Sequence, residues 1–340
     1  MLDRTAAHYL RHSDGLWPNL SALVYAVAGY AAGLALTMAE PVWANVPGVI
    51  LLAHSMVIAA YLVHECAHNN IFRRGEHNAR LGKALNWLTG SCYGGYEELR
   101  HKHMRHHVDR ADVVSFDYRE FLRHRPWLRR IVQALEWAYI PAVELLMHGF
   151  VMVRPFVYSG LRNQRSRILM VLAVRALFFI GLGFLAPKAL LFYALAYCLF
   201  LAVMRFLDMH QHTFEMVVSL DSRQKPEKRF DREYEYRNTF SNPLSVNHPW
   251  LDLLVLNFGY HNVHHDKPTA PWYRLPAMHR ELYSADEPQL LSSISLLKSF
   301  HRHRVTRVMN DDVGDIQIGQ GPERATNFVG VYGVSFLTAV

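Results

Sequence analysis

Nine of the 21 histidines in the chain fall in three tight groups and one single position, and the spacings within the groups suit metal binding. Residues three or four positions apart share one face of a helix, so each group can direct its imidazoles to one side. Imidazole nitrogen is a ligand for several divalent metals. The grouping therefore predicts a two-metal centre with nitrogen ligands, which would be His64 and His68; His103, His106 and His107; His212; and His261, His264 and His265.

The first group is ambiguous when taken alone. His64-Glu65-Cys66-Ala67-His68 has the H-E-x-x-H pattern of zinc proteases, in which two histidines bind zinc and the glutamate acts as base. It also contains E-x-x-H, the spacing of ferritin-like di-iron carboxylate bundles, and Glu98 to His101 repeats that spacing.

The second and third groups decide between these interpretations. Both have the pattern H-x-x-H-H, once at His103, His106 and His107 and again at His261, His264 and His265. Together they supply more nitrogen ligands than a single zinc site uses. The set favours a centre with two metal ions.

The histidine groups lie beside long apolar runs. These runs cover about residues 20–39, 46–63, 168–186 and 189–207, and each is close to the roughly 20 residues that span a bilayer. They predict an all-α integral membrane protein with four transmembrane helices in two hairpins. Arg175 is a charge in the middle of the third run, so we expect it to face protein, substrate or water.

The basic residues predict the orientation of these spans. The two short linkers, residues 40–45 and 187–188, carry one basic residue between them, whereas residues 73–130 are rich in Lys and Arg. Basic segments stay on the cytoplasmic side, so both termini and the histidine groups should be cytoplasmic, at the inner membrane if the protein is bacterial. The net charge of +7 then needs no nucleic-acid partner.

The remaining segments complete the domain. Residues 131–153 predict one or two helices at the membrane interface, and residues 208–304 predict a cytoplasmic helical cap. We assign residues 1–310 to one membrane domain, and residues 311–340 to a loose C-terminal tail of unknown role. The three cysteines are too few and too scattered for a disulfide framework.

The order of the motifs resembles that of the membrane fatty acid desaturase and hydroxylase superfamily. That family has three histidine boxes, H-x(3–4)-H, H-x-x-H-H and H/Q-x-x-H-H, and the resemblance covers about residues 20–275. A further ligand follows the fourth span in that family, and Gln211-His212-Thr213-Phe214 is similar to that element. His210 competes for this role; His212 is preferred because Asp208, four residues before it, could orient it. Glu65, Asp208 and Asn257 are the expected outer groups around the ligands.

The resemblance implies a non-haem di-iron oxygenase that uses O2 and two electrons from an external ferredoxin-type or flavoprotein donor. Its expected reaction is desaturation of an unactivated C–C bond in a lipid acyl chain or related hydrophobic chain. Hydroxylation of a lipid, alkane or terpenoid is the alternative on the same centre. A membrane zinc protease using Glu65 and a non-catalytic metal-binding protein are the other two classes. His261 stands where front-end desaturases carry Gln, and the chain has no His-Pro-Gly-Gly motif, so that subgroup is disfavoured.

Overall fold

The computed structural model describes residues 8–284, 287–314, 316 and 325–331. Helices dominate, and short 3-10 turns connect several of them. The helices and strands are, in chain order, α1 (Leu16–Met38), α2 (Val42–Ala67), α3 (Gly75–Thr89), α4 (Tyr96–Asp109), β1 (Asp112–Val114), α5 (Tyr118–Arg123), α6 (Pro126–Trp137), α7 (Ala142–Val157), α8 (Arg165–Leu185), α9 (Pro187–Asp208), β2 (Val217–Ser219), α10 (Arg232–Arg237), α11 (His261–Asp266), α12 (Leu275–Leu282) and α13 (Ser293–Arg302).

Four of these helices are long and apolar enough to cross a membrane, and they confirm the predicted spans. They are α1, α2, α8 with the 3-10 turn Ser159–Gln164 before it, and α9. Each helix is longer than or offset from the apolar run that predicted it. In particular, α2 continues past the run to Ala67, so His64 lies on the span helix itself and His68 caps it. The apolar run ends at residue 63, but the backbone hydrogen bonds of α2 continue to Ala67.

The central helix of the bundle is α2, which packs against α1, α3 and α9. Small residues permit this close packing: a Cβ atom added at Gly33 would lie 2.7 Å from the backbone nitrogen of Leu52. The tight turn between α1 and α2 is closed by Asn45, whose amide donates to the carbonyls of Leu36, Thr37 and Ala39. These bonds satisfy the carbonyls that the end of a helix leaves without partners.

Arg175 faces protein, which is one of the three surroundings expected from the sequence. Its guanidinium donates to the hydroxyl of Tyr193 at 3.1 Å and to the carbonyl of Trp87 at 3.4 Å. The ring of Phe179 lies 5.0 Å from the guanidinium carbon. Aromatic faces and hydroxyl groups together lower the cost of holding this charge in the middle of a span.

The segment predicted at the membrane interface forms two helices, α6 and α7. Exposed aromatic and apolar side chains on α6 include Trp127, Ile131 and Trp137, which is typical of a helix lying at the edge of a bilayer. A buried ion-pair cluster joins this pair to the end of α9, because Arg205 lies 3.0 Å from both Glu136 and Glu144.

Two features depart from the predicted helical cap and loose tail. Strands β1 and β2 form a small parallel pair, with Asp112 opposite Val217. The described part of the C-terminal segment is packed, since Ala325 and Phe328 are fully buried and the Val331 amide donates to the Met209 carbonyl at 2.9 Å. The expectation of a loose tail is therefore wrong for residues 325–331; residues 315, 317–324 and 332–340 lie outside the described residues. The apolar residues of 325–331 show no helical period in the sequence, yet Ala325 and Phe328 pack against buried residues of the cap.

Candidate metal centre

The structure brings all nine predicted histidines together in one buried site. Their ligand atoms form two groups of four, in each of which the atoms lie within 4.8 Å of one another. The first group is His64, His68, His103 and His264, and the second is His106, His212, His261 and His265. The ninth, His107, forms a third group with Glu235 and His265. These clusters could hold metal ions.

Short helices and helix ends place these side chains. The last turn of α2 carries His64 and its C-cap carries His68, while one face of α4 carries His103, His106 and His107. The short helix α11 carries the third box from its first residue. His212 lies just after α9, where it forms a backbone bridge with Thr239. Four separate segments therefore converge on one point.

The ring nitrogens within each group are spaced as they would be if they bound the same metal ion. In the first group, the Nε2 atom of His103 lies 2.7 Å from that of His68, and the neighbouring His107 has its Nε2 atom 3.2 Å from that of His103. The Nε2 atom of His107 lies 3.1 Å from that of His264. Ligands about 2.1 Å from one metal ion, at right angles to each other, have nitrogens about 3 Å apart. The same spacing recurs in the second group, where Nε2 of His212 lies 3.0 Å from that of His106 and 2.8 Å from that of His261.

Burial keeps these imidazoles in the neutral form that binds metal. It lowers the pKa of His106 to about 4. The pKa values of His107, His212 and His265 are likewise held well below the usual value, because of burial first and neighbouring histidines second. A neutral imidazole offers a lone pair on the nitrogen that carries no proton. The site therefore presents many lone pairs to one small volume.

The opposite ring nitrogens of several ligands contact fixed acceptors. Nδ1 of His265 lies 2.8 Å from Oε1 of Glu235, and Nδ1 of His106 lies 3.0 Å from the carbonyl oxygen of Ala111. Such contacts hold the proton on Nδ1 and leave Nε2 for the metal. The sequence did not identify Glu235, which forms an ion pair with Arg110 and lies 30 residues before His265.

The three outer groups expected from the sequence have different surroundings. Glu65 lies behind His64, with Oε1 3.8 Å from Nδ1 of that ring and Oε2 accepting from the Trp272 amide. Asn257 donates to the Trp272 carbonyl and so holds the chain next to the third box. The group facing Nδ1 of His212 is the Thr239 hydroxyl, at 3.5 Å, whereas the Asp208 charge acts on the buried Lys102.

The geometry separates His212 from His210. His212 belongs to the second group of four imidazoles that could hold a metal ion. Nδ1 of His210 instead contacts the Phe206 carbonyl at 3.1 Å, and its ring packs against Phe328. The other neighbouring histidines, His101 and His248, are exposed on the surface.

Comparison with known proteins agrees with this geometry. A sequence model of the fatty acid desaturase family matches residues 41–296, which include every predicted ligand. The chain is also similar to a sphingolipid delta(4)-desaturase of Mus musculus, with 26% identity over 270 residues that cover 76% of this chain and 71% of that protein. The chain is a membrane protein that belongs to the fatty acid desaturase family.

Proposed function

We propose that the protein is a membrane-bound di-iron oxygenase that desaturates a C–C bond in a lipid acyl chain or related hydrophobic chain. The observation that carries this proposal is the pair of adjoining buried groups of four imidazoles. Imidazole alone does not select iron over zinc. Two adjoining metal sites together with four apolar helices favour redox chemistry on a lipid over hydrolysis at one zinc ion.

The residues that would hold the metal pair are His64, His68, His103 and His264 on one side and His106, His212, His261 and His265 on the other, with His107 next to the first group. Bound there, an iron pair would supply dioxygen activation and the oxidation of C–H bonds. In the overall reaction, dioxygen would take two hydrogen atoms from adjacent carbons of the substrate, two electrons from the external donor and two protons from solvent, and leave as two waters.

The apolar side of the site is formed by aromatic residues. Phe258 packs edge-on against His64, with ring centroids 4.9 Å apart, and against Tyr61 at 4.4 Å. All three side chains are buried. These rings would exclude water from the face of the centre that an acyl chain must reach, and a site held to sub-ångström precision determines which carbon reacts.

The distribution of basic residues supports a membrane orientation, and the similar mouse protein supports a class of substrate. The spans would lie in the bilayer with the metal centre and both termini on the cytoplasmic side, because the basic residues concentrate there. The name of the mouse relative supports a lipid substrate and desaturation over hydroxylation. An external ferredoxin-type or flavoprotein donor would supply the electrons.

The zinc-protease alternative finds no support in the position of Glu65. A protease glutamate must face the water on the metal, whereas one oxygen of this carboxylate lies 3.8 Å from Nδ1 of His64 and the other accepts from the Trp272 amide. The carboxylate therefore serves to orient the chain around the site.

Lipid profiling of cells that express the chain tests the proposal. We expect a new unsaturated lipid with the unaltered chain and with His248→Ala, which removes an exposed histidine, but not with His264→Ala. Purified protein should contain about two iron ions per chain, and His264→Ala should contain fewer. A product that persists in His264→Ala, or a purified protein loaded with one zinc ion, would refute the proposal, and a new hydroxylated lipid would replace desaturase with hydroxylase.

A further inference from the structure

We propose that the electron donor docks on a defined basic face over the metal centre, and that it is a small acidic one-electron carrier of the ferredoxin class. This inference rests on the proposed function, because it assigns the surface through which that reaction receives its electrons. The basic face consists of Arg100, Arg223, Lys225, Arg229 and Arg232, which line two adjoining surface cavities.

One of these cavities reaches the metal centre. It has a volume of about 320 Å³, and its lining includes the ligands His68, His107 and His265. The second cavity, of about 510 Å³, shares Met104 and Val108 with the first. Electron transfer slows steeply with distance, so a carrier seated over the first cavity has a short path into the ligand rings.

The rim of the cavities carries positive charge that the protein does not neutralise. The carboxylates in the linings have partners of their own: Asp109 pairs with Arg105 and Arg229, Asp221 with Arg154, and Glu235 with Arg110. Asp266 accepts from the Tyr283 hydroxyl. Within the described ranges, Arg223, Lys225 and Arg232 are exposed and form no ion pair.

An exposed aromatic ring lies within this rim. Phe230 is 62% exposed and lies under the Arg229 guanidinium, whose carbon is 4.7 Å from the ring centroid. Its backbone amide donates to the Val108 carbonyl at 3.0 Å, which ties the loop to α4. An exposed aromatic ring surrounded by arginine is a common anchor of protein interfaces, and a polar, charged contact suits a transient redox encounter.

The positive charge of the basic face favours a partner with an acidic surface. Unneutralised cations attract a protein with an acidic surface and increase its rate of association. Each encounter would transfer one electron from the reduced carrier to a metal pair held by the histidines, so one turnover would require two encounters. The apolar side of the site, formed by Phe258 and Tyr61, belongs to other elements, so the carrier and the lipid would approach from different directions.

The test measures binding of a purified acidic [2Fe–2S] ferredoxin to the full chain in detergent. The double variant Arg223→Glu/Lys225→Glu should raise the Kd about tenfold or more at low ionic strength. The difference should shrink in high salt, because salt screens exposed charges. The rate at which ferredoxin reduces the metal centre should fall in parallel, while reduction by dithionite should not change.

A matched control has the same change of charge elsewhere. Arg80→Glu/Arg280→Glu alters two arginines that are exposed, lie outside the candidate spans and line neither cavity, and its Kd should stay within about twofold of the unaltered value. Equal affinity of both double variants would overturn the docking site but would leave the proposed function standing if the lipid product still forms. Ferredoxin binding at this face without any lipid product would support the docking site and refute the proposed function.

A second measurement distinguishes a protein partner from the membrane. Native mass spectrometry reports how many phosphatidylglycerol molecules remain on each purified variant. If Arg223→Glu/Lys225→Glu loses bound phosphatidylglycerol and keeps its ferredoxin affinity, the basic face contacts lipid and the proposal is refuted. Unchanged lipid with weakened ferredoxin binding supports it.

Discussion

The Nδ1 atom of His265 lies 2.8 Å from Oε1 of Glu235, and the other oxygen of that carboxylate lies 2.6 Å from the Arg110 guanidinium. One buried acidic residue thus links a candidate metal ligand to a cation at the end of α4. The carboxylate fixes the orientation of the ring, and Arg110 fixes the orientation of the carboxylate.

The first prediction concerns this relationship. Glu235→Ala removes the acceptor for the proton on Nδ1 of His265, so we expect metal affinity to fall about 10- to 100-fold. Glu235→Gln keeps an oxygen that can accept this proton, so it should recover part of the affinity. Metal competition with a chelator, followed by metal analysis of the protein, measures both effects.

The control for this prediction is Glu233→Ala on the same helix. Glu233 is exposed and pairs with Arg237 one turn away, so its loss should leave metal affinity unchanged. Because Glu235→Ala also leaves the buried Arg110 without its partner, its Tm should fall as well. If Glu235→Ala loses thermal stability but retains full metal affinity, Glu235 supports the fold alone.

The limits of sequence analysis are visible at this same residue. The clustering of the candidate ligands could be predicted because three- and four-residue spacings put imidazoles on one helical face, as on α4. Glu235 could not, because it reaches His265 through the fold of the cap and has no fixed spacing from any ligand. Thr239, which faces His212, was missed for the same reason.

In the fold, too, the features set by local sequence could be predicted and those set by long-range contacts could not. Apolar length predicts the spans, since a bilayer imposes that length on any helix that crosses it. The β1–β2 pair and the packing of residues 325–331 depend on long-range contacts, such as that between Val331 and Met209. No local pattern of residues encodes contacts of this kind.

A second prediction separates the two neighbouring histidines after α9. His212→Ala removes a proposed ligand of the second group, so the purified protein should hold fewer than two metal ions per chain. His210→Ala removes a buried ring that contacts Phe206 and Phe328, which should lower stability by about 1–3 kcal/mol and leave metal content intact. Metal analysis and thermal unfolding of both variants check this. Loss of metal in His210→Ala alone would exchange the two assignments.

A third prediction follows from a buried carboxyl group. Asp252 is fully buried, and burial raises its pKa to about 6, although the amide of Leu244 donates to it at 2.8 Å. Because the pKa is higher in the folded state than its value of about 3.9 in an unfolded chain, protonation favours folding. This contribution is full below about pH 4 and is lost as the pH rises through about 6.

The neutral variant Asp252→Asn keeps an acceptor for Leu244 and removes the charge. We expect its Tm to exceed that of the unaltered chain at about pH 8, and the gap to shrink as the pH falls toward about 4.5. Thermal unfolding of metal-free protein measures this without interference from ligand protonation. A gap that is constant with pH would show that Asp252 does not titrate in this range.

The fourth prediction tests how closely α1 and α2 must pack. A Cβ atom at Gly33 would lie 2.7 Å from the backbone nitrogen and 2.9 Å from the Cα atom of Leu52, and backbone atoms cannot move aside as a flexible side chain can. Gly33→Ala must therefore push the two helices apart, at a cost of about 1–3 kcal/mol. Since α2 also carries His64, metal content should fall together with Tm.

The matched control is Gly181→Ala on α8, where an added Cβ atom meets nothing within 4 Å. Both substitutions exchange glycine for alanine inside a helix, which by itself favours the helix by about 1 kcal/mol. Any difference between the variants therefore reports the contact with Leu52. We expect Gly181→Ala to keep or raise the Tm in detergent and Gly33→Ala to lower it. Equal Tm values would mean that α1 can move away from α2 without loss, and that the position of His64 does not depend on this contact.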